Sequence, residues 1–501
     1  MKKLKNIIIL LPFLFVGLFS ACQDLDIVYD NFPDMEKALS NPDDVLNIAK
    51  GGFYGLYMAN TSSLSPRMSM WTMADQGTCS WANSGMLDLS SEPRMPFDND
   101  VSYTYASIFE AYYADLYSTL SQMNDVLKVL DEGMEIGELD RDSVGEYTPM
   151  VRAMSHFIQG ASLGYLALTY DQAFIITENT ADVNLVEASP YTEVMDTAIV
   201  CLEKAIAIAE EETFTIEDDW VNGFEYTSDE LAQLAHSYIA RFLVQLSRNA
   251  SQNEAVDWQS VYDHANQGIQ KDLLVHMDDV NWTNWFYHYT IRSGWALIDC
   301  RILKLLDPTY VERYPEDGTS PGQIRSEDYR SETDFNYISV VNMRPERGYY
   351  HFSNYEYSRY DYHYDTGVTE ADLPDFWLAE NDLLMAEALV HLDRTAEAIP
   401  IINAGTRSTR GKLEDISTTA SDEEVLEAIF YERDVELIHS GFGMAFFDMR
   451  RRDMLQTGTM LHFPIPDKEL MLQGMESYTF GGVENADGIN TSNGGWYEYD
   501  Y

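Results

Sequence analysis

The sequence predicts a mainly α protein in which paired helices support a loop-rich face with a few short strands. Three observations carry that expectation. Apolar residues recur at three- and four-residue steps over long stretches, the signature of amphipathic helices. These stretches follow one another in pairs, with alanines along their apolar stripes. Between the pairs lie segments rich in Gly, Ser, Asn, Pro and aromatic residues that keep no period. With 501 residues, 45% of them hydrophobic, the chain has ample material for a large core and does not have the composition of a disordered protein.

The N-terminus is read first as an export signal. Lys2, Lys3 and Lys5 precede an uncharged, mostly apolar run over residues 7–19, and the chain turns polar at Gln23. That run is too short to cross a bilayer, which takes roughly 20 apolar residues, and a short apolar run behind lysines reads as a signal peptide. Leu18-Phe19-Ser20-Ala21-Cys22 resembles a lipobox, with Phe19 where Leu is usual, so Cys22 is the expected lipidation site. The alternative is an ordinary signal peptide that ends near a cysteine. The expected organisation is a signal peptide at 1–21, a lipidated acidic tether at 22–41 and one helical domain over 42–501.

Asn41-Pro42-Asp43-Asp44 marks a helix start, with acids in its first turn. Val45, Ile48, Ala49, Phe53, Leu56 and Tyr57 carry that helix onward. Residues 71–99 hold Trp, Gly, Ser, Asn and Pro without a period and read as a long ordered loop, a kind of segment that tends to be functional. A second helix is expected over 103–130. Three pairs then follow, near 146–170 with 191–211, 229–248 with 258–271, and 375–392 with 395–407. Paired amphipathic helices with small residues at their seams resemble tetratricopeptide repeats, whose units stack because none buries its apolar face alone. A four-helix bundle with added helices is the alternative. The aromatic, loop-rich insert at 272–370 has Tyr355/Tyr357 and Tyr360/Tyr362/Tyr364 at period two, which predicts a short hairpin. Ser421 and Glu424 form a capping-box pattern ahead of a last helix at 422–439, and the tail from Phe463 reads as loop.

Charge and motifs exclude several functions. The formal net charge is −51, and removal of a leader holding three lysines makes it −54. Such a field repels nucleic acid. Cys79, Cys201 and Cys300 are odd in number and widely spaced, neither a disulfide framework nor a zinc motif. They are expected to be buried thiols, or one pair and one free thiol. No HExxH, GxSxG or phosphate-loop motif occurs, and no carboxylate pair stands out among 83 acidic residues, so no catalytic residue and no metal ligand is assigned. Residues 485–490 faintly resemble an oxygen-rich calcium loop without the full EF-hand pattern. Calcium there is unsupported, and no other cofactor is expected.

Aromatic residues are the better guide. Flat apolar rings match the faces of pyranose sugars, and their hydroxyls seek Asn, Asp and Arg. Trp71, Asp75, Trp81 and Asn83, together with Trp282, Trp285 and Tyr287, offer that mixture and are the candidate ligand-binding residues. The competing reading places the same rings in the core, where most buried aromatics belong.

Several stretches together resemble one family. Beyond the lipobox, Tyr117 to Leu127 resembles its early helix, and Leu168-Thr169-Tyr170-Asp171 the end of its "RA…L…YGD" helix. Ala379 to Ala388 is similar to "AE..L..AEA", and Ile402-Asn403 with Thr409-Arg410-Gly411 to its "iN..R.R.G" turn. Glu432-Arg433-Asp434-Val435-Glu436-Leu437 is similar to "ER..EL", and Phe447 to Arg451 to "fDl.RW", with Arg451-Arg452 replacing the last step. Phe463-Pro464-Ile465-Pro466 with Glu469 matches "fPIP..E". On these motifs the chain is similar to the SusD/RagB family of nutrient-binding outer-membrane lipoproteins. The resemblance implies four tetratricopeptide-like helix pairs and a non-enzymatic binder held by lipid on the outer face of the outer membrane. It also implies a partnership with a SusC-like TonB-dependent transporter, to which the protein acts as lid. The ligand would be a glycan or oligosaccharide, with a peptide as the alternative and a surface glycoside hydrolase or a purely protein-binding scaffold as rivals. Glu432, Arg433 and Glu436 are expected to tie helices together.

Overall fold

The three- and four-residue apolar steps become long helices. In the computed structural model, residues 35–78, 82–137, 146–341, 343–361, 367, 369–485, 488–489 and 495–496 are described. Cys22, Cys79 and Trp81, the signal peptide and half of the 485–490 segment lie outside them. The chain divides into two units, residues 1–41 and 42–501. In the first, the described part is a short helix, Met35–Ala38, followed by a turn in which Ser40 Oγ donates to the Lys37 carbonyl.

The second unit is built on α1 (Pro42–Thr61), α2 (Ala106–Asp131), α3 (Thr148–Thr169), α4 (Tyr191–Glu211), α5 (Ser228–Gln245), α6 (Trp258–Asn266), α7 (Leu378–His391) and α8 (Thr395–Ala404). Each packs on the next in chain order, so the expected three pairs join into one continuous stack. α1 and α2 add a fourth pair, despite the 44 residues between them. Helix α3 lies at the heart of the stack, and every residue from Ala153 to Thr169 is buried, as an all-round apolar helix must be. Its small residues set the spacing. A Cβ on Gly160 would stand 2.7 Å from the Ala198 carbonyl of α4, and one on Gly164 would stand 2.1 Å from the Phe242 ring of α5.

Capping fixes several ends. Ser421 and Glu424 form the expected capping box at the start of α9 (Asp422–Glu436), and Thr227 and Glu230 form another at α5. At the far end of α3, Arg248 donates to the carbonyls of Ala167 and Leu168, at 2.6 and 2.7 Å. Arg450, on α10 (Met444–Arg451), reaches the same Leu168 carbonyl and that of Gln245 in α5, at 2.9 and 2.7 Å. Guanidinium groups thus satisfy last-turn carbonyls that have no partner within their helix.

Three sequence expectations are corrected. The 71–99 segment is not all loop: Arg67–Met73 and Met86–Leu89 are helical and Gly77–Thr78 is a strand. The tyrosine hairpin is not formed by neighbours in sequence. Tyr355–Tyr357 pairs instead with Phe335–Tyr337 and, through Glu356, with Leu297, giving a four-stranded antiparallel sheet whose far edge is Gly77–Thr78. Tyr362 and Tyr364 lie outside the described residues. The tail contains a helix, Asp467–Gln473. The ends of the large insert also meet, because Leu273–Met277 pairs antiparallel with Ala371–Phe376. The insert is therefore a closed excursion from the helical stack.

Candidate functional site

A network of buried ion pairs joins α7, α9 and α10. The Glu387 carboxylate takes both Nη atoms of Arg451, at 2.6 and 2.9 Å, and lies 3.0 Å from Arg433. Asp448 faces the same two arginines. Burial alone would raise its carboxyl, but Arg433, Arg451 and Arg452 hold it down at about 2. Arg330 joins Asp328, Glu432 and Glu436, and Arg241 of α5 forks onto Glu380 at 2.6 and 2.7 Å. Glu432, Arg433 and Glu436 tie helices together, as expected. Cys201 and Cys300 are buried free thiols, and burial pushes the Cys201 thiol up to about 12, far from reactive thiolate character. Among the described residues no His, Cys, Asp and Glu cluster could hold a metal ion.

The loop-rich face is built differently. At the end of α1, Thr61 Oγ1 donates to the carbonyl of Thr283, 3.0 Å away, and anchors the segment that follows the strand Leu273–Met277. Asp278 shapes that segment: one of its carboxylate oxygens accepts the backbone N–H groups of Val280, Asn281 and Trp282, each at 2.9 Å. Asn284 then caps the short helix Trp285–Thr290 by accepting from the Tyr287 N–H. Helical spacing divides that helix. Phe286, Tyr287 and Tyr289 are buried, while Trp285 and His288, three residues apart on one face, line a pocket of about 340 Å³. Ser63, Asp279, Thr283, Ile291, Arg292 and Thr369 complete its wall. His288 Nε2 lies 2.7 Å from Asp279 Oδ1. Burial lowers the His288 pKa, and Arg292 adds to that while Asp279 opposes it. The pocket therefore presents an indole face, hydroxyls, one acid–imidazole pair and one guanidinium.

The candidate residues separate in this frame. Trp285 lines the pocket. Trp282 is half-buried beside it, wedged on α1 with ring centroids 5.0 Å from Tyr54 and 5.3 Å from Tyr57. Trp71 is corrected: it is 4% exposed, packs edge-on against Phe286 and Tyr289, and leaves no room for a Cβ on Gly77. Tyr287 is corrected likewise, fully buried among Met277, Ile291, Ala371 and Leu373. Asp75 is buried in an ion pair with Arg94 at 3.0 Å and accepts from Gln456 and Trp496, so it anchors the tail. Asn83 is half-buried beneath the Met86–Leu89 helix, and its backbone carbonyl accepts the Met86 N–H. Sequence reasoning missed Asp279, His288 and Arg292; the three-residue step from Trp285 to His288 was the available signal. A second cleft, about 410 Å³, is lined by Asp88, Met95, Phe97, Tyr103, Arg347 and Tyr350 among others.

A stack of helix hairpins that holds up an irregular, pocketed face defines a helical-repeat scaffold. Residues 255–492 match the SusD family, and solved structures share the fold. A SusD superfamily protein from Parabacteroides distasonis aligns with a TM-score of 0.59 at 14% identity, over 86% of this chain and 97% of that one. A SusD homolog from Bacteroides thetaiotaomicron gives 0.56 at 13%, over 90% and 99%. A SusD-like carbohydrate binding protein from Bacteroides vulgatus gives 0.55 at 17%, over 82% and 83%. Comparison with curated protein sequences gives no match. Over residues 255–492 the chain is thus similar to the SusD family, and it shares its fold with these structures over most of its length.

Proposed function

We propose that this protein captures a glycan or oligosaccharide at the cell surface and delivers it, without chemical turnover, to a SusC-like TonB-dependent transporter as that transporter's lid. The observation that carries the reading is the SusD family match over residues 255–492, which includes the 279–292 segment and Thr369 of the Trp285 pocket. The pocket supports it chemically. An indole face suits a pyranose ring, and the Thr283, Ser63 and Thr369 hydroxyls with Asp279 and Arg292 suit its hydroxyl groups. The carbohydrate-binding relative from Bacteroides vulgatus shares the fold. Lipid on Cys22 holds the protein to the outer leaflet, with residues 22–41 as tether. Among the described residues no helix is long and apolar enough to cross a membrane.

Calorimetric titration with a polysaccharide panel and a peptide panel tests the ligand class. Glycan binding that weakens about tenfold in Trp285→Ala is the expected result; binding of peptides alone would sink the glycan reading, and release of any cleaved sugar would sink the non-enzymatic one. Cys22→Ala should release a folded protein from the outer membrane. Co-purification of the lipidated protein with a TonB-dependent transporter tests the partner, and its absence under mild detergent would count against the lid.

A further inference from the structure

The Trp285 pocket contains an arginine whose charge no carboxylate of the described residues takes up. With 83 acidic and 32 basic residues, carboxylates are plentiful, although Arg67, Arg248 and Arg450 donate to backbone carbonyls instead. Arg94, Arg241, Arg301, Arg330, Arg410 and Arg451 each take at least one. Arg292 takes none among the described residues. Its guanidinium carbon lies 4.9 Å over the Trp295 ring, a contact that fixes the group's position while leaving its N–H donors free for another partner. Asp279, the acid in the pocket wall, is engaged by His288 at 2.7 Å. Asp278, next to it in sequence, is occupied by three backbone N–H groups.

We propose that this pocket selects an acidic glycan, one bearing uronate carboxylates, and that Arg292 is the residue that reads the carboxylate. The inference rests on the glycan-capture reading above and narrows it. Arginine's planar fork matches a carboxylate through two parallel N–H donors, which a hydroxyl cannot accept equally well. Trp285 supports the sugar ring, and Ser63, Thr283 and Thr369 are placed for its hydroxyls. The three charged groups of the wall are Asp279, His288 and Arg292. With Asp279 engaged by His288, whose lowered pKa leaves the imidazole a neutral donor, Arg292 is the group of the wall left for an incoming carboxylate. The protein's overall field then opposes every anion that does not reach Arg292, so selection depends on this contact.

Calorimetric titration of the full mature chain with oligomers of galacturonate, glucuronate and mannuronate, each beside its carboxyl-reduced neutral counterpart, tests the proposal. At least one uronate oligomer should bind ten or more times tighter than its neutral form. Arg292→Gln should remove that preference while leaving the melting temperature unchanged, and Arg292→Lys should restore part of it. The preference should shrink as salt rises. Equal affinity for acidic and neutral forms, or a preference that survives Arg292→Gln, would overturn the selection and leave glycan capture standing. Failure of every uronate oligomer to bind while neutral glycans bind would do the same. Failure of all glycans would remove both.

Discussion

The helices α7, α9 and α10 and the 279–292 segment both place charges and aromatic rings close together, but they use them in opposite ways. In the helices, Glu387, Arg433, Asp448 and Arg451 are buried and ion-paired with one another. In the pocket, Arg292 takes no carboxylate among the described residues and lies over the Trp295 ring. The lesson is that burial together with pairing distinguishes a structural charge from an available one, whatever the residue type. Three of the motifs read from the sequence, at 379–388, 432–437 and 447–451, fall in the first region. Helix-to-helix ion pairs allow few substitutes, because removing one partner strands a charge in the core.

The strongest way to break the contrast is to attack the buried lattice. Glu387→Ala would leave Arg433 and Arg451 without their shared carboxylate, and should cost about 3–5 kcal/mol in urea unfolding. A loss under 1 kcal/mol would mean that the lattice is solvated and no different from the pocket. Trp71→Ala comes next. It opens a cavity beside Phe286 and Gly77 and should cost about 3–4 kcal/mol; unchanged stability with lost sugar binding would return Trp71 to the ligand face. Trp285→Ala should do the reverse, lowering stability by about 1 kcal/mol or less while weakening sugar binding.

Asp299 sharpens the comparison within the core itself. It caps the short helix Cys300–Leu306 by accepting the Arg301 N–H. Burial raises its carboxyl to about 8, and the nearby Asp75 carboxylate adds to the rise. A folded-state pKa above the unfolded value of about 4 gives stability that is complete below pH 4 and lost as pH rises towards 8. Asp299→Asn mimics the protonated acid and cannot titrate. The difference in unfolding free energy between variant and parent should therefore grow in the variant's favour from pH 4 to pH 8 and then level off. A flat difference would show that Asp299 stays ionised in the folded protein.

Much of the helical stack could be read from sequence, because a 3.6-residue period and small seam residues are local signals. The capping box at Ser421 and the pairing of α3 with α4 follow from neighbours in the chain. The sheet could not be read this way. Glu356 meets Asn336 and Leu297, partners 20 and 59 residues away, and period two in the tyrosines says nothing about which strand lies opposite. The same limit affected the site. Tryptophan content drew attention to Trp71 and Trp285 alike, since composition cannot tell which side of a short helix faces the core.

The sequence by itself determined the class of fold, the order of its helices and the structural role of Glu432, Arg433 and Glu436, because each rests on periodicity or on motifs confined to short stretches. Tertiary structure decided that Trp71, Tyr287 and Asp75 belong to the interior, and that Trp285, His288 and Arg292 share one wall with Ser63 and Thr369. Those assignments depend on which distant segments come to lie together. The packing of the stack and the closure of the 273–376 excursion bring them together, and no local pattern encodes that.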